Sequence, residues 1–371
     1  GEIFPSIIIL VTLLSNRMSS TLGIVSALTA PLLVVVGFII WDNHWTGSAF
    51  ALNLYKCNLT AIGFAIVSLS CGGPFSSEVF TGYKVGALML SSFIGIVIGD
   101  WTWIEGMRLL GARKIIVMDT LKPFLAALVG QFFLGEHLNQ ISLMGLVITV
   151  AGVYIVAMEQ TKEHSELLPQ EDDASLEGDG DVNPESQETT NDVVTATSDS
   201  YAETRKKQNQ SKGEFIYGLV MAALNVILHT FGALLTKKFG VGMTPFEISL
   251  IRFGFAGIVM AIISVFLSIL LPSNTDSTQP AWFKLPSLTR STWCRISFGV
   301  LFVSFLQPAL TNYAMFQIPL ALLLTLESVG PIYSLPLSYL LQGDRPTLTA
   351  AIGALLAVVG IGTLSYGGMA D

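Results

Sequence analysis

Charged residues are scarce in this sequence. Only 12% of its 371 residues are Asp, Glu, Lys or Arg, and 51% are hydrophobic, whereas a soluble domain carries about 25% charged residues. So few charges cannot cover a surface that faces water, and most of the surface must therefore face lipid. The sequence also lacks a basic patch of the kind that nucleic-acid-binding proteins carry, which argues against a nucleic-acid partner.

Cysteine and histidine are few as well. Cys57, Cys71 and Cys294 lie in or beside apolar runs without metal-ligand spacing, and they imply no disulfide framework. The four histidines are scattered and do not form a convincing metal site. No glycine-rich phosphate loop and no set of catalytic side chains is apparent. We therefore expect no metal, no cofactor and no enzymatic activity.

Long apolar stretches make up most of the chain. Ten of them are near the length of about 20 residues that a helix needs to cross a membrane. They cover residues 22–41, 47–69, 85–107, 115–134, 141–158, 215–235, 246–271, 294–315, 320–341 and 347–366. The sequence therefore predicts an all-α integral membrane protein with ten transmembrane helices.

Two stretches lie outside these spans. Residues 1–21 form an N-terminal extension whose apolar run at 6–14 suits the remains of a targeting segment, an interfacial stretch or a partial helix. Residues 159–213 contain 14 acidic and five basic residues, and we expect a disordered acidic linker there. The linker separates residues 22–158 from residues 214–368, with five predicted spans in each half.

The two halves repeat each other. A shift of 208 residues places Asp119 on Glu327 and Pro123 on Pro331. Because five is an odd number, the second half starts from the opposite face if the linker does not cross the membrane. The halves are then inverted repeats, an arrangement characteristic of secondary transporters with a site near the membrane midplane.

Short motifs within the two halves point to a known family. They are Gly99-Asp100, Leu110-Gly111-Ala112-Arg113, Leu121-Lys122-Pro123, Leu134-Gly135-Glu136-His137-Leu138, Gly145 and Gly152, followed by Arg252-Phe253, Pro331, Gly343-Asp344, Gly353 and Gly360. With these motifs the chain resembles the EamA-type transporters of the drug/metabolite transporter superfamily, over residues 22–158 and 214–366. The resemblance implies a fold of two five-helix repeats and the transport of small metabolites such as amino acids, amines, sugars or sugar phosphates.

The sequence departs from that family at two points. The fourth helix of each half carries an acid, Asp119 or Glu327, where the family usually has small neutral residues. The ninth helix also lacks the Lys-Thr pattern of nucleotide-sugar and phosphosugar relatives, which makes a phosphorylated substrate a weaker expectation.

Ionisable groups inside spans are candidate binding residues, because each costs about 2.5–3.5 kcal/mol to insert in a membrane. Asp100 lies beside Trp101 and Trp103. One interpretation is a cavity wall, with the rings stacked on substrate and Asp100 binding a cation or a proton. The other is a hydrogen bond from Asp100 to a neighbouring helix, with both rings used for packing or anchoring.

The acids of the fourth helices differ in their surroundings. Asp119 lies three residues before Lys122, so the two can pair on one helical face. Glu327 has no such partner in sequence and is a candidate for proton coupling. The alternative for Glu327 is a hydrogen-bonding role at a helix break near Gly330-Pro331.

Further polar residues complete the candidate site. Asn225 and His229 are four residues apart and can face one cavity, although a lone histidine often only packs. Gln307, Asn312 and Tyr313 offer neutral hydrogen bonds on the eighth helix. These groups suit a polar substrate, and they equally suit polar contacts between helices.

Two further sets of residues have structural predictions. Lys56 and Arg252 match at a shift of 196 residues. We favour side chains that extend to the lipid headgroups, and substrate binding is the alternative. Glycines spaced seven residues apart in the last helix of each half predict close helix packing, and the family resemblance implies that these helices form a packing or homodimer face. These glycines are Gly145, Gly152, Gly353 and Gly360.

The function predicted from these features is secondary transport of a small polar metabolite by alternating access. The expected partners are a small-molecule substrate and the lipid bilayer. A competing hypothesis is a membrane scaffold or receptor that docks partners through the acidic linker. The plasma membrane, the Golgi and the plastid envelope are all compatible with the sequence.

Overall fold

A computed structural model gives the fold and describes residues 3–70, 79–110, 115, 118–166, 212–271, 281–333, 335–336 and 347–370. Over these residues the chain is helical and contains no strand. The helices are α1 (Ile3–His44), α2 (Ala49–Ser70), α3 (Gly82–Leu110), α4 (Lys122–Leu134), α5 (Gln140–Glu166), α6 (Lys212–Phe239), α7 (Pro245–Leu270), α8 (Arg290–Met315), α9 (Leu320–Tyr333) and α10 (Leu348–Ala370). The linker residues 167–211 lie outside the described ranges.

The helices have the composition of membrane spans. Seven are long and apolar enough to cross a bilayer, and α4, α9 and the Gln140–Val156 part of α5 are shorter apolar helices. On α7 the side chains of Ile258, Ile262, Phe266 and Ile269 are 59–73% exposed. Such a stripe, at helical spacing, is stable only against lipid. The chain is an integral, multi-pass membrane protein.

The N-terminal apolar run does not form a separate element. Residues 6–14 belong to α1, which is continuous from Ile3 to His44. The part of α1 that qualifies as a membrane span is Ser19–Trp41. The predicted extension and the first predicted span therefore form one helix.

The third helix of each half contains a π-helical segment. In α3 it covers Phe93–Ile98 and in α8 it covers Leu301–Leu306, two positions that differ by the same 208 residues as the sequence repeat. A π segment adds a residue to a helical turn and is frequent at functional sites. Asp100 and Gln307 follow these segments within two residues, so the internal repeat extends to the residues that border the site.

Helices α5 and α10 pack directly against each other. A Cβ atom at Gly145 or Gly152 would overlap the backbone of α10, and one at Gly360 would overlap the backbone of α5. At Gly353 a Cβ atom would lie 3.0 Å from the carbonyl oxygen of Gly152. The four glycines of the seven-residue pattern thus lie at a contact within one chain. A homodimer through the same two helices stays a prediction.

The largest hydrophobic cluster of the described chain surrounds the start of α9. Residues 320–326 are at most 3% exposed, and all of them except Thr325 belong to a cluster that includes Ala27 of α1, Ala126 of α4 and Ala233 of α6. Helices of both halves meet in this cluster, at the end of the molecule where α4 and α6 finish and α9 begins. We call this region the Glu136 end, after the residue that follows α4.

At the Glu136 end an ion pair joins the halves. Lys237 Nζ lies 2.6 Å from Glu136 Oε1 and also donates to the carbonyl oxygen of Ile318 at 2.6 Å. The other carboxylate oxygen of Glu136 accepts a hydrogen bond from the backbone N–H of Leu320 at 2.8 Å. One carboxylate of the first half therefore holds the end of α6 and the first turn of α9.

Candidate functional site

Asp119 is held by two side chains of the first half. The indole Nε1 of Trp103 donates to Asp119 Oδ2 at 3.1 Å, and Lys122 Nζ lies 2.9 Å from Oδ1. The Trp103 ring stacks on Phe38 of α1, with ring centroids 4.9 Å apart. This contact brings α1, α3 and the start of α4 together around one carboxylate.

Glu327 has a corresponding arrangement in the second half. The Thr311 hydroxyl donates to Glu327 Oε1, and Gln307 Nε2 approaches the same oxygen at 3.4 Å. Gln307 also donates to the Thr311 hydroxyl oxygen at 2.9 Å. In each half, therefore, a side chain of the third helix donates a hydrogen bond to the acid associated with the fourth helix.

The two acids and their hydrogen-bond donors correspond at the same 208-residue shift, but only Asp119 has a cation paired with it. Trp103 and Thr311 differ by 208 residues, as Asp119 and Glu327 do. Lys122, however, corresponds to Gly330, and no ion pair reaches Glu327 from the residues that the structure describes. The charge of Lys122 does interact with Glu327 electrostatically.

Asp100 pairs with a lysine of the second helix. Lys56 Nζ lies 2.5 Å from Asp100 Oδ2, and the Lys56 residue is only 6% exposed. The expectation that Lys56 extends to the headgroups is therefore wrong, because the nearby carboxylate compensates its charge inside the bundle. About a quarter of the Asp100 side chain, 24%, remains accessible.

Arg252 also stays within the bundle. Its guanidinium lies against the π segment of α3, where a Cβ atom at Gly95 would come within 3.3 Å of Nη2. Its backbone carbonyl oxygen accepts a hydrogen bond from the Ser92 hydroxyl. The headgroup prediction for Arg252 is thus also wrong, because its side chain points toward α3 rather than along the helix to the bilayer surface.

Asn225 and His229 approach the same part of α3 from α6. Asn225 Nδ2 donates to the carbonyl oxygen of Gly99 at 2.8 Å, next to Asp100. His229 is partly buried on α6 and lies near the cationic side chains of Lys56, Lys122 and Arg252. The structure therefore places Asp100, Asn225 and His229 around the end of the π segment.

The other predicted residues lie elsewhere. Asn312 is buried and donates to the Ser249 hydroxyl oxygen at 2.9 Å, between α8 and α7. Tyr313 is half-buried on α8, and Trp101 is 37% exposed. Trp101 thus points away from the polar interior that holds Trp103.

Sequence reasoning favours another role for Lys56 and Arg252, and it does not identify Thr311. Thr311 could have been found, because the 208-residue shift places it on Trp103. Lys56 had a weaker signal, the need of Asp100 for a compensating charge in a membrane.

In the described part of the chain no three His, Cys, Asp or Glu side chains form a group that could hold a metal ion.

Comparison with known proteins identifies a family model and a structural relative. The model described as "EamA-like transporter family" matches residues 21–158 and 216–366. No curated protein matches the chain. A solved structure described as "Crystal structure of protein" shares 16% sequence identity and a TM-score of 0.63, covering 95% of this chain and 99% of its own. At this identity the structural likeness concerns the fold alone.

Proposed function

The chain belongs to the EamA-like transporter family, and we propose that it is a secondary transporter that moves a small polar metabolite across a membrane by alternating access. The observation that carries this proposal is the repeated acid arrangement. Trp103 donates to Asp119 and Thr311 donates to Glu327, so each half supplies an equivalent hydrogen-bonded carboxylate within an apolar bundle. Polar groups are retained at such cost in a membrane mainly where they bind substrates or ions.

Two inverted five-helix repeats are the proposed architecture. The helices then cross the membrane ten times, and α4, α5 and α9 span it despite their short apolar lengths. The common 208-residue register of the two π segments and the two acids supports this assignment. An axis in the membrane plane would relate the halves, with the site close to the midplane between them.

Glu327 is the proposed proton-coupling residue. It is held by neutral donors, Thr311 and Gln307, whereas Asp119 is neutralised by Lys122. A carboxyl group without a paired cation can gain and lose a proton without breaking an ion pair. The two acids would then have the same hydrogen-bonded geometry but different roles. Asp119 would be structural, and Glu327 would exchange a proton.

Transport in proteoliposomes tests the proposed function. The full chain is purified, reconstituted and supplied with radiolabelled amino acids, amines, sugars and organic acids, with and without an imposed pH gradient. We expect saturable uptake of at least one compound, accelerated by the gradient. Absence of substrate-dependent flux from protein that is folded by size-exclusion and thermal-unfolding criteria would overturn the proposal.

Alternating access requires that the Glu136 end opens, and the ion pair there should resist opening. We expect Glu136→Gln and Lys237→Met to destabilise the protein in a coupled way, because each single change leaves the other charge partly buried and unpaired. A double-mutant cycle on unfolding in detergent should give a coupling energy of about 1–3 kcal/mol.

The neighbouring lysine provides the control for this cycle. Lys238 is exposed, so Lys238→Met should leave stability unchanged and show no coupling to Glu136→Gln. Strictly additive effects of Glu136→Gln and Lys237→Met would mean that the ion pair does not hold the halves together.

A further inference from the structure

Three helices bring basic residues to the π segment of α3. Lys56 comes from α2, His229 from α6 and Arg252 from α7. Glycines on α3 allow the approach: a Cβ atom at Gly95 would come within 3.3 Å of Arg252 Nη2, and one at Gly99 would come within 3.9 Å of the backbone nitrogen of His229. The side chains of Lys56 and Arg252 therefore lie at the part of α3 that carries Asp100, and the backbone of His229 packs against the same part.

The charges at this point do not balance. Lys56 and Arg252 are two cations, Asp100 is one carboxylate, and His229 is counted as neutral. Asp100 forms its ion pair with Lys56 at 2.5 Å, while its interaction with Arg252 is a longer-range electrostatic one. No ion pair reaches Arg252 from the described residues. The group keeps one positive charge in excess, which is costly within a membrane protein.

Three polar atoms of the residues around the π segment of α3 also lack a hydrogen-bond partner. The buried atoms Arg252 Nε, His229 Nδ1 and Asn225 Oδ1 have no hydrogen-bond partner. Asn225 is only 1% exposed, and its amide nitrogen is held at Gly99, so its unpaired oxygen stays beside this segment. Buried polar atoms are normally paired, so these three atoms are available to hydrogen-bond a polar ligand.

We propose that Arg252, assisted by Lys56 and His229, forms a subsite that binds the carboxylate group of the transported substrate. This inference rests on the proposed function and names the substrate class. The planar guanidinium of arginine matches a carboxylate with two parallel hydrogen bonds. Asp100 then positions Lys56 and does not itself bind the substrate.

The charge count selects a carboxylate over a phosphate ester. One carboxylate compensates the single excess positive charge, whereas a phosphate monoester brings about 1.5–2 negative charges at neutral pH and would leave the site negative. The unpaired Asn225 oxygen can accept a hydrogen bond from a donor next to the carboxylate, such as an amino or hydroxyl group.

Matched compounds test the subsite. Purified full chain is assayed for thermal stabilisation and, in proteoliposomes, for uptake of L-phenylalanine against L-phenylalaninamide, L-leucine against L-leucinamide, lactate against lactamide, and glycerol 3-phosphate. We expect stabilisation and uptake with carboxylates and neither with the matched amides or the phosphate ester. Arg252→Gln should raise the KM for the carboxylate at least about tenfold, the loss typical of one charged hydrogen bond.

Two variants keep the test interpretable. Arg252→Lys retains the buried charge but lacks Nε, so it should fold even if Arg252→Gln does not, and it should raise KM several-fold. Arg295 is exposed on α8, and Arg295→Gln should leave KM unchanged.

The outcomes separate this inference from the proposed function. Uptake of amides or of glycerol 3-phosphate with an unchanged KM in the Arg252 variants would overturn the subsite and leave transport standing. Stabilisation by carboxylates that depends on Arg252, without flux of any compound, would support the subsite and overturn transport. If no carboxylate stabilises the protein or is taken up, the subsite is wrong.

Discussion

Replacing Glu327 by glutamine is expected to reduce the uptake rate about 100-fold, the loss typical when a group that exchanges a proton is removed, without unfolding the protein. Glutamine keeps the size of the side chain and an oxygen that accepts from the Thr311 hydroxyl. It cannot take up or release a proton. Uptake in proteoliposomes, measured with and without a pH gradient, should therefore lose both its rate and its response to the gradient.

A second carboxylate of the bundle serves as control for this experiment. Glu105 forms an ion pair with Arg108, whose side chain is 61% exposed, and it lies outside the contacts made by Asp119 and Glu327. Glu105→Gln should retain near-normal uptake. If Glu327→Gln transports at the normal rate and still responds to the gradient, Glu327 is not the coupling residue, and its role is limited to hydrogen bonding between α8 and α9.

Adding one methyl group at Gly152 is expected to destabilise the folded protein by about 1–3 kcal/mol or more, the typical cost of overpacking. The new Cβ atom of Gly152→Ala would overlap the backbone of Ala357 and lie 2.6 Å from the carbonyl oxygen of Gly353. Backbone atoms of a helix cannot turn aside as a side chain can, so α5 and α10 would have to separate. Thermal unfolding in detergent and the yield of monodisperse protein measure the effect.

A glycine without close neighbours provides the matched control, and there we expect no loss of stability. Gly362 lies on α10 and has no heavy atom within 4 Å of its Cβ position. Gly362→Ala should therefore be neutral or stabilise the protein by up to about 1 kcal/mol, because alanine favours a helix over glycine. Equal effects of the two alanine substitutions would show that helix propensity, and not the contact between α5 and α10, decides the stability.

Much of the candidate site was accessible to sequence reasoning, and the part that was not has a physical cause. The pairing of Asp119 with Lys122 follows from helical spacing within one segment, and the structure has this ion pair. The partner of Asp100 lies 44 residues away on another helix, where spacing along the chain gives no information. The sequence therefore favours the bilayer surface for Lys56, and only the fold brings it to Asp100.

The placement of Trp101 and Trp103 depends on the π segment before them. One extra residue in a helical turn rotates every later side chain by about 100° relative to regular α-helix. No hydropathy pattern reveals this rotation beforehand. Residues two apart lie on opposite faces of a helix in any case, so the rotation decides only which ring faces inward: Trp103 donates to Asp119, while Trp101 is 37% exposed.

The sequence by itself determined the membrane class, the family resemblance and the repeat of 208 residues. These depend on the composition of single stretches and on comparison of the chain with itself. Only the tertiary structure decided which charges compensate each other, because helix packing and the π segments of α3 and α8 set those contacts. The sequence has few charged residues, and the fold decides which of those inside the bundle are paired. Lys56 and Lys122 are paired with acids, and Arg252 and Glu327 have no ion pair in the described chain.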